Sequence, residues 1–212
     1  MNLLIVAGGS NEEWPAIHSS EFDYFAGVDR GSLFILEQGW PLDLAVGDFD
    51  SLSANEKAYV EKEAVEVITS KPEKDDTDTQ LALDQVFKRF PKATVTIIGA
   101  TGGRLDHFLA NLWLPLEERF RSYTQQIGLR DRQNSIRYFL PGEYTVGREV
   151  GMNYLAYCCL TPVNDLTLKD SKYLLNQHQV PVPTSYASNE FVGQTASFSF
   201  TSGVIAVIQS RD

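Results

Sequence analysis

The chain has 212 residues, 43% hydrophobic and 22% charged, enough for one large or two small domains and too apolar for general disorder. A formal net charge of −10, from 28 acidic against 18 basic residues, leaves no basic footprint and excludes a general nucleic-acid binder. The opening MNLLIVAGGS has no basic residue before its short apolar run and ends in glycines, so it reads as neither signal peptide nor membrane span.

The first half alternates strand-like and helix-like patterns. Strands are expected at residues 3–7, 24–28, 44–46, 65–69 and 94–98, all short, apolar and often β-branched. Ser53-x-x-Glu56 and Thr77-x-x-Gln80 read as capping boxes opening two helices. The second of these carries Leu81, Leu83, Val86, Phe87 and Phe90 on roughly one face and stops at Pro91. A third helix is expected over 106–119, with Leu109, Leu112, Trp113 and Leu116 on one side and a bend at Pro115. Strand–helix alternation at this spacing predicts a mainly parallel sheet with helices on both faces.

After about Ser122 the texture changes to short alternating runs at 135–140, 154–160, 196–200 and 204–208. Turn signals separate them at Pro141-Gly142, Pro162, Asn164-Asp165, Pro181, Pro183 and Ser202-Gly203. The pattern predicts an α/β N-terminal domain with a mainly parallel sheet over 1–122, and a C-terminal all-β sandwich domain over 123–212.

Acidic and glycine-rich clusters follow three of the strands. They are Gly47-Asp48-Phe49-Asp50-Ser51, Lys74-Asp75-Asp76-Thr77-Asp78-Thr79, and Gly99-Ala100-Thr101-Gly102-Gly103-Arg104-Leu105-Asp106-His107. Ligands of open α/β sheets bind at the carboxyl ends of the strands, so all three clusters are expected at one edge. Carboxylates converging there repel and raise one another's pKa unless a cation neutralises them; a hard ion with oxygen ligands, most simply Mg²⁺, removes the conflict. Each cluster also has a structural reading. Asp48 and Asp50 suit a turn and a cap, and acidic residues from Asp75 to Asp78 suit a helix N-terminus. Gly102-Gly103 suits a tight turn, although with Arg104 beside it exposed N–H groups and a guanidinium fork form a phosphate or base clamp.

Several chemistries are missing from the sequence. It has no Walker P-loop, no G-x-G-x-x-G after the first strand and no G-x-S-x-G elbow. His18, His107 and His178 are too scattered for zinc; His107 reads as a structural residue, and Trp14, Trp40 and Trp113 as core. The adjacent Cys158 and Cys159 cannot build a disulfide framework, which fits a reducing cytoplasm. The residues alone lead to a Mg²⁺–nucleotide enzyme of phosphoryl or pyrophosphoryl groups, with the β domain in the acceptor site or a dimer contact.

Together the motifs resemble the thiamine pyrophosphokinases in their short bacterial form. The matching stretches are Val28-Asp29-Arg30-Gly31-Ser32, Val46 to Ser51, Glu73 to Leu83 and Gly99 to Asn111, then Leu160-Thr161-Pro162, Lys172 to Leu175 and Ser188-Asn189. The resemblance implies an α/β catalytic domain, a β-sandwich and a homodimer that moves a pyrophosphoryl group from ATP to the thiamine hydroxyl, giving thiamine diphosphate and AMP. By position it implies Mg²⁺ on Asp48, Asp50 and Asp78. It puts Asp29, Arg30, Thr77, Gly102, Gly103, Arg104 and Asp106 at the nucleotide, with Asp78 or Asp106 orienting the hydroxyl proton. It puts Ser188 and Asn189, from the other subunit, at thiamine. Arg30-Gly31 stands where many relatives have a glycine pair, and Gly203 to Ala206 offers no ring to stack on thiamine. The alternatives are a Mg²⁺-dependent nucleoside polyphosphate hydrolase and a nucleotide-sensing module.

Overall fold

A computed structural model describes residues 1–69 and 76–212. The chain divides into two compact units, Met1–Arg132 and Gln133–Asp212.

Among the described residues, the first unit holds six parallel strands in the order β6-β5-β1-β2-β3-β4. These are β1 (Asn2–Val6), β2 (Tyr24–Val28), β3 (Leu44–Gly47), β4 (Glu66–Thr69), β5 (Thr94–Ile98) and β6 (Ile127–Arg130). Among the described residues, four α-helices lie between them: α1 (Arg30–Glu37), α2 (Ala54–Glu63), α3 (Asp78–Arg89) and α4 (Leu105–Trp113). Leu3, Leu4, Ile5 and Val6 are all fully buried. Successive strand side chains point to opposite faces, so this central strand is covered on both. Leu4 and Val6 pack with Leu33 and Ile35 of α1 and Val60 of α2, while α3 buries Ala82, Leu83, Val86 and Phe87 at helical spacing.

Both expected capping boxes form. Ser53 and Glu56 bond reciprocally at the start of α2, as do Thr77 and Gln80 at the start of α3. Three features differ from the sequence reading. Helix α1 is not among the expected helices, and its N-cap, Asp29, makes no side-chain cap bond. Strand β6 was hidden in the polar stretch before the second unit. Helix α4 ends at Trp113 and gives way to 3-10 turns at Leu114–Leu116 and Glu118–Gln126, with Pro115 in the first. Trp113 is half exposed, at 50%, and not core. Trp14 and Trp40 do pack against the core, stacked on each other at 5.9 Å.

The second unit is two antiparallel four-stranded sheets, β12-β9-β14-β7 and β11-β10-β13-β8. The strands are β7 (Asn134–Phe139), β8 (Gly142–Gly147), β9 (Tyr154–Cys159), β10 (Val163–Lys169), β11 (Leu175–Val180), β12 (Thr184–Glu190), β13 (Thr195–Phe200) and β14 (Ile205–Ser210). Their inner faces share one core, including Leu155, Tyr157 and Val207 from the first sheet and Leu166, Phe198 and Phe200 from the second. Phe198 meets Phe139 and Tyr157 edge-on at 5.1 and 5.2 Å. Strands β8, β10, β11 and β12 were not read from the sequence. Strands β11 and β12 are polar edge strands, and Asn164-Asp165 is a bulge within β10, Asp165 having φ 57°. Among the described residues, no helix is long and apolar enough to cross a membrane.

Candidate active site

Strands β1, β2, β3 and β5 run parallel and end on the same side of their sheet. The turns that follow them meet the N-terminal ends of α1, α3 and α4 around a cleft of about 490 Å³. Its lining includes Asp29, Arg30, Thr77, Asp78, Gly102, Gly103 and Arg104, seven of the residues singled out from the sequence. A glycine at 102 is not demanded by the fold, since a Cβ there would meet nothing within 4 Å. The space it leaves lies on the cleft wall.

Burial raises the Asp29 carboxyl to about 6, with Asp78 adding to the rise and Asp48 and Asp50 contributing less. The Phe49 N–H, donated to Asp29 Oδ1 at 3.2 Å, opposes it. The carboxylates of three turns therefore share one electrostatic field, as expected from their common edge. They do not close into a ligand shell. Among the described residues, no group of three or more His, Cys, Asp or Glu side chains could hold a metal ion.

The individual carboxylates are differently employed. Asp48 Oδ1 accepts the Asp50 N–H at 3.0 Å, and the Asp48 carbonyl accepts from Lys57 Nζ at 3.2 Å. Asp106 grips Arg104 through two bonds, at 2.6 and 3.2 Å, which holds its carboxyl below the ordinary carboxylate range. It is consequently a poor proton acceptor and a good orienter of the guanidinium. Asp76 is held by Arg119 through a bidentate pair at 2.7 and 2.8 Å. Lys74 and Asp75 of the same cluster lie outside the described residues. Arg30 reaches the Ser51 carbonyl and lies 3.8 Å from Glu56.

Sequence reasoning overlooked Asn111, which is buried and donates to the Ala100 carbonyl at 3.0 Å, tying the glycine turn to α4. It closes the matching stretch Gly99 to Asn111, with no role assigned to it there. His107, read as structural, also lines the cleft.

Ser188 and Asn189 lie in the second unit, on β12. Ser188 is exposed with φ 58°, at a register shift between Tyr186 and Asn189. Asn189 is 2% exposed and its amide is fully engaged. Its Oδ1 accepts from Tyr173 N and Glu190 N, both at 2.9 Å, and its Nδ2 donates to Tyr173 O at 2.8 Å and Ser171 Oγ at 3.3 Å.

A parallel sheet whose carboxyl edge gathers glycine turns, an oriented arginine and mutually repelling carboxylates defines the class: an α/β protein of the phosphoryl-transfer kind, here joined to a β-sandwich unit. Comparison with known proteins narrows this. A family model described as thiamin pyrophosphokinase, catalytic domain, matches residues 18–127, and one described as thiamin pyrophosphokinase, vitamin B1 binding domain, matches residues 143–205. The thiamine pyrophosphokinase of Bacillus subtilis (strain 168) is 35% identical over 214 residues, covering 98% of each chain. The crystal structure of a thiamin pyrophosphokinase family protein from Enterococcus faecalis is 59% identical, with a TM-score of 0.98 over the whole of both chains. That of the Bacillus subtilis thiamine pyrophosphokinase is 34% identical, with a TM-score of 0.89, again over the whole of both chains. The chain belongs to the thiamine pyrophosphokinase family. It is an enzyme of that kind, and neither a hydrolase nor a sensing module is favoured.

Proposed function

We propose that the cleft of the first unit binds ATP with Mg²⁺ and delivers its terminal pyrophosphoryl group to the hydroxyl of thiamine, releasing AMP. The observation that carries this reading is the cleft itself, where open glycines and a guanidinium adjoin carboxylates, among them Asp29, raised by burial and then by Asp78. In this reading the first unit is catalytic and the second binds thiamine, with the boundary at 132/133 and not at the expected 122/123, because β6 completes the parallel sheet.

The donor chemistry fits Mg²⁺: Asp48, Asp50 and Asp78 offer the hard oxygens this ion takes, with Asp29 in their field. Since the three do not close a ligand shell by themselves, they would hold it together with the phosphates of ATP. When bound, the ion supplies charge neutralisation on the phosphate oxygens. Asp29, Arg30, Thr77, Gly102 and Gly103 form the nucleotide wall. Arg104, aimed by Asp106, stabilises negative charge as the bond to AMP breaks. Asp78 is the carboxylate left to orient the hydroxyl proton, because Asp106 is taken up by its pair with Arg104. An acidic edge also attracts the permanent thiazolium cation of thiamine.

The second unit acts in thiamine binding, in keeping with the name of the family model that matches it. Ser188 and Asn189, from the other subunit of a homodimer, approach thiamine. Ser188 offers its hydroxyl from the bulge, and Asn189 fixes the bulge through its four internal bonds. The enzyme works in the cytoplasm.

The test is a mass-spectrometric assay of purified protein with Mg-ATP, with and without thiamine. AMP and thiamine diphosphate are expected in equal amounts and only when thiamine is present. Nucleotide breakdown without thiamine would favour a hydrolase, and binding without turnover would favour a sensor.

A further inference from the structure

Asp29 has φ 47° and ψ −120°, a conformation that L-residues rarely adopt. It is the apex of Gly27-Val28-Asp29-Arg30-Gly31, where β2 turns sharply into α1. The flanking glycines permit that turn. A Cβ on Gly31 would stand 2.0 Å from the Val6 carbonyl oxygen, and one on Gly27 would stand 2.3 Å from Ser32 Cα. The strain has a consequence for the side chain. The Asp29 carboxyl does not cap its own helix and reaches sideways to the end of β3.

There it holds the backbone. Asp29 N–H donates to the Val46 carbonyl at 2.9 Å, and Asp29 Oδ1 accepts the Phe49 N–H at 3.2 Å. Gly47 leaves the room for this, because a Cβ at that position would lie 2.0 Å from Oδ1. Phe49 itself has φ 59°, a strained setting for a bulky residue. Its ring is 1% exposed, with Lys57 Nζ 5.5 Å from the centroid. With the ring inside and the N–H tied, Asp48 and Asp50 on either side are turned outward, one half-buried and the other exposed.

We propose that Asp29 is a positioning residue: through the Phe49 N–H, its carboxyl oxygen sets the loop over 47–51 and so fixes where Asp48 and Asp50 carry their carboxylates. The inference rests on the reading of Asp48 and Asp50 as the Mg²⁺ residues. What the loop needs from Asp29 is an acceptor atom at Oδ1. Asparagine keeps that atom and tolerates positive φ, whereas alanine removes it.

The experiment compares Asp29→Asn and Asp29→Ala in the full chain by kcat, by calorimetric Mg²⁺ affinity and by amide hydrogen exchange at Phe49 without metal. Loss of a supporting contact typically costs ~10–100-fold, so Asp29→Ala should lose at least ~30-fold in kcat and ~10-fold in Mg²⁺ affinity. Asp29→Asn should recover at least ~10-fold of the kcat lost by alanine. The Phe49 amide should be protected in the wild type and in Asp29→Asn, and exposed in Asp29→Ala. Equal losses in the two variants would overturn the proposal, because the charge itself would then be required. Wild-type behaviour of Asp29→Ala would overturn it too. If Asp29→Ala does not fold, Phe49 exchange in the wild type and Asp29→Asn decides, and free exchange in either overturns it. Asp48→Asn with unchanged Mg²⁺ affinity would remove the metal reading of Asp48 while leaving the exchange result intact.

Discussion

Replacing Asp29 by asparagine should stabilise the fold at neutral pH, although the residue sits in the candidate site. Its carboxyl moves from an ordinary 3.8 to about 6, first through burial and then through Asp78. A rise of that size corresponds to ~3 kcal/mol of preference for the neutral form, at ~1.4 kcal/mol per pKa unit. The carboxyl is not fully enclosed, and solvent screening reduces the effect to ~1–2 kcal/mol. The sign follows from linkage. The folded state holds the proton more tightly than the unfolded chain, so this contribution is complete below pH 3.8 and is lost as pH rises through about 6. Asparagine cannot ionise and loses nothing over the same window. Urea unfolding of both proteins between about pH 4 and about pH 8 should give curves that coincide at the acid end and separate by ~1–2 kcal/mol at the other, with the variant more stable. Parallel profiles across the window, or a variant less stable at the alkaline end, would refute the reasoning.

Asp78→Asn should abolish pyrophosphoryl transfer with the fold intact, because it removes a charge and almost no volume; turnover retained at saturating Mg²⁺ would contradict the metal role. Asn189→Ala should destabilise by ~2–4 kcal/mol, since its buried amide satisfies the Tyr173 and Glu190 backbone and Ser171. An unchanged denaturation midpoint would show that those bonds do not hold the bulge. Ser188→Ala should raise the KM for thiamine more than that for ATP, and an equal effect on both would indicate a structural role.

Five of the six strands described in the first unit and both capping boxes were legible because they depend on local chemistry. Short β-branched runs and S/T-x-x-E/Q spacing act within a few residues. The gathering of Asp29, Asp78, Gly102 and Arg104 at one cleft was also foreseeable, because parallel strands deliver their following turns to one edge. The polar edge strands β11 and β12 were not legible, since an edge strand is held by pairing and buries little. Trp113 is not core because one stripe of α4, Leu105, Leu109 and Trp113 at four-residue spacing, is exposed.

The sequence by itself determined which residue types reach the edge, because strand alternation and turn glycines are short-range properties. Only the tertiary structure decided what each carboxylate does there. Asp76 is spent on Arg119 and Asp29 reaches across to Phe49, whereas the pair of Asp106 with Arg104, two residues apart, is local. The first two assignments depend on partners up to 43 residues away and on a strained turn that only two close backbone approaches allow. Pairing of this kind is set by where the folded chain places its charges, and no local pattern encodes it.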